Sequence, residues 1–215
     1  MNIGIFGTGI VGQTIGARLV ELGHSVKMGS RSANSENARA WAKAHGDLAL
    51  YGTHAETAAF GEILFNCTPG KWSLSALSFP RTAYLNCKVL VDVANPLEFS
   101  RGLPPTLTVC NTDSLAEQIQ REHPLLRVVK ALNTMNVDVM VHPEKLSGPH
   151  TAFICGDDRD AKATVTMILM EWFEWPSVMD LGDITNARGM EMVLPLWLSV
   201  QKNLGTNLFN FNIAK

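Results

Sequence analysis

The chain has 215 residues, with 18 basic and 20 acidic side chains and a formal net charge of −2. That length holds one large domain or a domain with a short appendage, and so balanced a charge gives no global attraction to nucleic acid or an anionic membrane surface. No stretch approaches the ~20 apolar residues of a membrane span, and the N-terminus runs into an apolar strand with no basic leader before it, so a soluble, cytoplasmic setting is expected.

In chain order, "NIGIF" is a short apolar strand and "IVGQTIGARLVELG" a helix with Gly23 at its C′ position. "HSVKM" is a second strand and "NSENARAWAKAHG" a second helix that Asn34 or Ser35 can cap. "LALY" is a brief third strand, "HAETAAFG" a short helix and "EILFNC" a fourth strand, followed by the loop "TPGK" and a helical "WSLSALSF". "KVLVDVA" is a fifth strand, apolar enough for a sheet buried on both faces. "NPLEFSRGLPPT" reads as loop, "SLAEQIQREH" as helix and "LRVVKAL" as a sixth strand. "NTMNVDVMVHPEKLSGPH" fits no single element. "TAFICG" is a seventh strand, and "DRDAKATVTMILMEWF" is a helix capped by Asp157 or Asp158. "PSVMDLG" is an eighth strand, helix runs on to about Gly205, and "NLFNFN" is a strand or a docked tail. Strands alternating with helices imply an α/β fold, a doubly wound parallel sheet with right-handed crossovers. No repeat or polar linker divides the chain, so residues 1–215 read as one domain.

Gly7, Gly9 and Gly12 follow the first strand and open the first helix, the setting in which GxGxxG cradles a dinucleotide pyrophosphate. Gly7 allows the tight turn, Gly9 lets phosphate approach the backbone, and Gly12 lets helix and strand pack closely. The helix start adds free N–H groups and a partial positive charge. NAD-binding units carry an acid at the end of the second strand. Here Gly29 stands there, followed by Ser30 and Arg31. Arg31 offers a planar fork of donors to a 2′-phosphate, so NADP(H) is the expected cofactor. A solvated loop arginine is the plainer alternative.

At the other strand ends, Thr68, Pro69, Gly70 and Lys71 are expected near ribose and pyrophosphate, and Ala94, Asn95, Pro96 and Leu97 near the nicotinamide, with ordinary turn chemistry as the alternative for both. Lys130 is either a proton donor or, slightly favoured, a surface lysine at an edge; Asn133 and Thr134 lie just past its strand. No general acid–base arrangement stands out, which suits direct hydride passage to a flavin-like ring. Cys67, Cys87, Cys110 and Cys155 read as buried structural thiols. The six histidines show no metal-ligand spacing, and no metal is expected.

The stretches "IGIFGTGIVGQTIGARLVELGHSVKMGSR", "VVKALNT", "FICGDDRDAKATV" and "VMDLGDITNARGMEMV", in that order, resemble the coenzyme F420-dependent NADP oxidoreductases. They also resemble the related cytoplasmic oxidoreductase domain of the six-transmembrane metalloreductases. The resemblance implies a Rossmann-type domain with a small C-terminal α/β extension from about residue 150, commonly a homodimer. It implies NADP(H) on Gly7, Thr8, Gly9, Ile10, Val11, Gly12, Ser30 and Arg31, and hydride exchange with F420 or a flavin such as FMN or FAD, with Asn133 near that cleft. "ANPLEFSRGLPP" departs from the family pattern, which leaves the acceptor open. Dehydrogenases of the β-hydroxyacid and imine-reducing type need a following helical domain longer than the stretch after Gly156. The alternatives are reduction of a small carbonyl or imine assisted by Lys130 or Asn133, and a non-catalytic NADP(H) sensor. Met190, Met192, Leu196 and Trp197 read as core filler, a dimer interface or a platform for the second ring.

Overall fold

Alternation along the strands builds two apolar faces on one sheet. In a computed structural model describing residues 1–214, Ile3 and Ile5 of β1 (Asn2–Phe6), Val26 and Met28 of β2 (Ser25–Ser30), and Ile63 and Phe65 of β4 (Ile63–Asn66) share one buried cluster. Phe6, Leu64, Leu90 of β5 (Val89–Asp92) and Val128 share the other. β3 (Ala49–Thr53) closes one edge of the sheet. The excursion after β5, expected as pure loop, carries a two-stranded antiparallel ribbon, β6 (Leu97–Glu98) with β7 (Thr106–Leu107). β8 (Arg127–Ala131), β9 (Ala152–Cys155) and β10 (Val178–Asp180) complete the main sheet.

The spatial order is β10-β9-β8-β5-β4-β1-β2-β3. It is parallel from β3 to β8, and it reverses there. β9 lies antiparallel to β8, with Lys130 opposite Cys155, and β10 runs parallel to β9. The parallel sheet expected from the alternation holds over the six strands from β3 to β8, and the β8–β9 pair adds an antiparallel junction to it. The connection after β8 contains α6 (Val137–Val141), five residues, and one 3₁₀ turn (Pro143–Lys145), but no long crossover helix. At 1.5 Å per residue α6 is too short to serve as the crossover helix of a parallel connection, and β9 enters from the carboxyl end of β8.

The helices on the two faces follow their sequence signals. α1 (Ile10–Glu21) starts from Gly9 without a side-chain cap, and α2 (Glu36–His45) is capped by Ser35. α3 (His54–Phe60) carries a Thr53–Glu56 capping box. α4 (Ser73–Ser78) follows one 3₁₀ turn, and α5 (Leu115–Glu122) is capped by Ser114. Asp158 caps α7 (Arg159–Met167), which widens into a π-type turn over Ile168–Trp172. α8 (Ala187–Met192) and α9 (Leu194–Leu204) make the C-terminal portion helical, and Gly205, at φ 66°, ends α9. The tail is docked, not a strand: the Thr151 N–H donates to the Phe211 carbonyl, and Phe209 stacks on Trp197 with centroids 4.9 Å apart. No helix of the described residues is long and apolar enough to cross a membrane. Cys67 and Cys155 are buried as expected, whereas Cys87 and Cys110 are exposed, because both fall in connections outside the strands.

Candidate active site

The carboxyl ends of the parallel strands border a cavity of about 720 Å³. From β2 across β1, β4 and β5 to β8 is four strand spacings, about 19 Å, a span that an extended dinucleotide can cover. Of the residues singled out from the sequence, Gly7, Thr8, Gly9, Ile10, Val11, Ser30, Arg31, Thr68, Pro69, Ala94, Asn95 and Asn133 line it. Gly12, Gly70 and Pro96 lie outside that lining. The work of the two glycines is packing. A Cβ on Gly12 would stand 2.5 Å from the Gly7 carbonyl, and one on Gly70 would overlap the Asn95 and Pro96 backbone, where the Gly70 N–H donates to the Asn95 carbonyl.

At the glycine turn, Gly7 has φ 109° and no room for a Cβ, which would meet the Cys67 carbonyl at 2.7 Å. Gly9 is the opposite case: nothing lies within 4 Å of its missing Cβ. The α1 start beside it has no acidic side chain in its first turn. This is open space over unpaired backbone donors, the surroundings a pyrophosphate requires. Gly9→Ala is therefore expected to fold with stability within about 0.5 kcal/mol of wild type yet to bind NADPH at least tenfold more weakly. Gly12→Ala is expected to lose about 1–3 kcal/mol through overpacking. Urea unfolding and NADPH titration separate the two, and equal stability losses would contradict the assignment.

Arg31 is exposed at the end of β2 and makes no ion pair among the described residues. Gly29 stands before it for a steric reason. A Cβ there would sit 2.6 Å from Thr57 Oγ1 and 3.2 Å from His54 Nδ1. Position 29 therefore has no room for a carboxylate side chain.

His54 carries no sequence sign of a cavity role, yet it lines this end, 4% exposed, with Nδ1 unpartnered. It stacks on Phe6 at 5.4 Å and tilts against Phe79 at 5.9 Å. Burial first, and the Arg31 guanidinium second, push its pKa from 6.5 down to about 4. The unfolded chain then takes up a proton that the folded chain refuses as pH falls from 6.5 to 4. Stability is full above 6.5 and declines through that window, by up to about 3 kcal/mol. His54→Gln is expected to flatten that part of the stability–pH curve, and an unchanged slope would contradict the burial argument.

A buried polar array runs under the other end. Asn66 Nδ2 donates to Asp92 Oδ1 at 2.7 Å, and Thr68 Oγ1 donates to Asn66 Oδ1 at 2.7 Å. Lys130 Nζ lies 2.8 Å from Asp92 Oδ2 and 2.9 Å from Glu191 Oε1, all three side chains at most 1% exposed, and it also donates to the Ala94 carbonyl. Lys130 is thus neither the edge lysine nor the proton donor expected from the sequence. It stands on an interior strand outside the cavity lining, directly opposite Asp92. Burial disfavours its charge, but the two carboxylates outweigh that and hold its pKa above the ordinary lysine value. The only sequence sign was a charge inside each of two apolar strand runs.

Asn133 and Asn95 lock together: Asn133 Nδ2 donates to Asn95 Oδ1 and Asn95 Nδ2 to the Asn133 carbonyl, each at 2.9 Å. Met135, Met140, Leu194, Trp197 and Leu198 supply apolar wall that the sequence left unassigned, apart from Trp197. Met190 is buried in the core, whereas Met192 and Leu196 are exposed. Cys67 also lines the cavity, its thiol pushed well up by burial and by Asp92.

A family model described as "NADP oxidoreductase coenzyme F420-dependent" matches residues 2–96. A crystal structure of a candidate F420-dependent NADP reductase from Arthrobacter sp. FB24 is 44% identical, covers 99% of both chains and superposes with a TM-score of 0.93. Rat Metalloreductase STEAP3 is 30% identical over 200 residues; these make up 91% of this chain, which spans only 38% of that relative's length. An Aspergillus terreus reductive aminase, solved with NADPH and ethyl levulinate, shares the fold at 17% identity and a TM-score of 0.66, over 95% of this chain and 62% of its own. The chain belongs to the coenzyme F420-dependent NADP oxidoreductase family.

Proposed function

We propose that this chain passes hydride between NADP(H) and coenzyme F420 or a related flavin ring such as FMN or FAD. NADP(H) would lie with its pyrophosphate over Gly9 and the α1 start, its 2′-phosphate at Ser30 and Arg31, and its nicotinamide between Asn95, Asn133 and the Leu194–Trp197 wall. Open space at Gly9 and the unpaired Arg31 fit that group. Bound NADPH supplies a hydride, and a flavin or deazaflavin ring supplies the electrophile that takes it.

One observation carries the choice of acceptor. Among the described residues, the titratable side chains lining the cavity are Arg31, His54 and Cys67. Arg31 and His54 both lie at the opposite end of the cavity from Asn133. The Cys67 thiol is held neutral and far above its ordinary range, a poor proton donor. A carbonyl reductase must protonate an alkoxide beside the nicotinamide. Lys130, the one candidate the sequence offered, is committed to two carboxylates. An apolar slot with two fixed amides suits two flat rings held face to face.

The test is to mix the protein with NADPH and follow nicotinamide absorbance with F420, FMN, FAD and a panel of small carbonyls and imines. Oxidation with F420 or a flavin is expected. Turnover confined to carbonyls or imines would overturn the reading, and tight NADPH binding without any turnover would favour a sensor.

A further inference from the structure

The Asn133 amide is orientated by its neighbours. Its Nδ2 group donates both to Asn95 Oδ1 and to the Met190 carbonyl, each at 2.9 Å. The reverse orientation would set Oδ1 against the Met190 carbonyl oxygen, two acceptors face to face. Oδ1 is therefore the remaining polar atom of the side chain, and it is buried without a partner in a residue that is 1% exposed and lines the cavity. A buried, unpartnered acceptor costs free energy unless a ligand satisfies it. The chemistry that satisfies it is an N–H donor.

The Met190 carbonyl is itself held in place by the residue that follows it. Glu191 Oε2 accepts from the Leu115 N–H at 2.9 Å and Oε1 from the Ala116 N–H at 3.2 Å, which fastens α8 to the start of α5. Oε1 also pairs with Lys130. Lys130 in turn donates to the Ala94 carbonyl, one residue before Asn95. Both hydrogen-bond partners of Asn133 are thus tied to the one buried ion cluster.

We propose that Asn133 Oδ1 accepts a hydrogen bond from the carboxamide N–H of the nicotinamide, and that Glu191 is the positioning residue that keeps Oδ1 turned toward it. This rests on the NADP(H) reading above. The carboxamide is the group through which the reacting ring is turned to face its partner. An amide acceptor locked from behind fixes that rotation without a charge beside the ring.

The test uses the full chain and three probes: NADPH, its 3-acetylpyridine analogue, and adenosine 2′,5′-bisphosphate. The analogue keeps the carbonyl but lacks the N–H. The bisphosphate lacks the nicotinamide altogether. Wild type is expected to prefer NADPH over the analogue by about tenfold, the worth of one hydrogen bond in a buried site. Asn133→Ala and Glu191→Ala are both expected to bring that ratio close to one while leaving bisphosphate affinity unchanged. Glu191→Ala leaves Lys130 paired with Asp92, so the cluster keeps a balanced pair. Should that variant not fold, Glu191→Gln, with its volume and one acceptor oxygen retained, undergoes the same measurement. A wild-type ratio near one, a wild-type ratio surviving in the Glu191 variant, or equal weakening of all three probes would overturn the inference. Failure of wild type to bind the bisphosphate would instead overturn the NADP(H) reading, and this inference with it.

Discussion

Arg31→Ala is expected to weaken NADPH binding by about 10- to 100-fold, the range for charged hydrogen bonds to an ionised phosphate, while NADH affinity stays within about twofold. Three features lead to that expectation. The guanidinium is exposed and makes no ion pair with the described residues, so it is available to a ligand. Gly29, two residues before it at the end of β2, is glycine because Thr57 and His54 fill the space that a side chain would take. An NAD-type carboxylate therefore cannot be restored there by a single substitution; Gly29→Asp should destabilise the fold before it changes cofactor preference. Ser30, whose hydroxyl bridges to Ser32, also lines the cavity and is a second donor for the same phosphate. Paired titrations of NADPH and NADH against wild type and Arg31→Ala check this. Equal wild-type affinities for the two nucleotides would contradict it.

Lys130→Met is expected to lower stability by about 3–5 kcal/mol. The substitution preserves most of the volume, so packing is not the cause. It leaves the carboxylates of Asp92 and Glu191 buried with no cation between them. Such carboxylates take up protons more readily in the folded chain than in the unfolded one. A folded-state pKa raised above the unfolded value makes the folded form gain stability as pH falls. The deficit of Lys130→Met relative to wild type should therefore narrow from pH 7 toward pH 5. A second substitution, Glu191→Gln, should recover part of the loss at neutral pH. Urea unfolding of the single and double variants across that range measures both. A deficit independent of pH would mean that lost contacts, and not uncompensated charge, are responsible.

The strands and the glycine turn were legible because local patterns encode them. Apolar alternation, cap residues such as Ser35 and Asp158, and the Gly7-Gly9-Gly12 spacing each act over a few residues. What stayed hidden depends on partners distant in sequence. Lys130 reads as an edge lysine until its strand is set beside β5, where Asp92, 38 residues earlier, stands directly across the pair. Glu191 lies in a stretch whose apolar neighbours suggest core, an interface or a ring platform, and none of these calls for a buried carboxylate. The reversal at β9 is invisible because an apolar strand reads alike in both directions, and the segment before it gives no clear helical signal. Trp72 and Phe79 give no local sign of lining a cavity, yet both are 53% exposed and border this one. The motif reading gave Gly9 and Gly12 different jobs, and the space around each differs accordingly. Gly9 leaves room for a ligand, whereas Gly12 and Gly70 leave room for the protein's own backbone.

Direct passage of hydride from NADPH to a ring held in the same cavity is the central claim, and isotope transfer tests it most directly. A deazaflavin has carbon at the position where hydride arrives, so a deuterium delivered there stays. NADPH deuterated in turn on each face of nicotinamide C4 would be oxidised by the protein in ordinary water with F420, and the reduced F420 examined by mass spectrometry. One face is expected to deliver one deuterium per F420 reduced, and the other none. NADPH oxidation that reduces F420 without deuterium from either face, or no reduction of F420 or any flavin by a protein that binds NADPH, would contradict it.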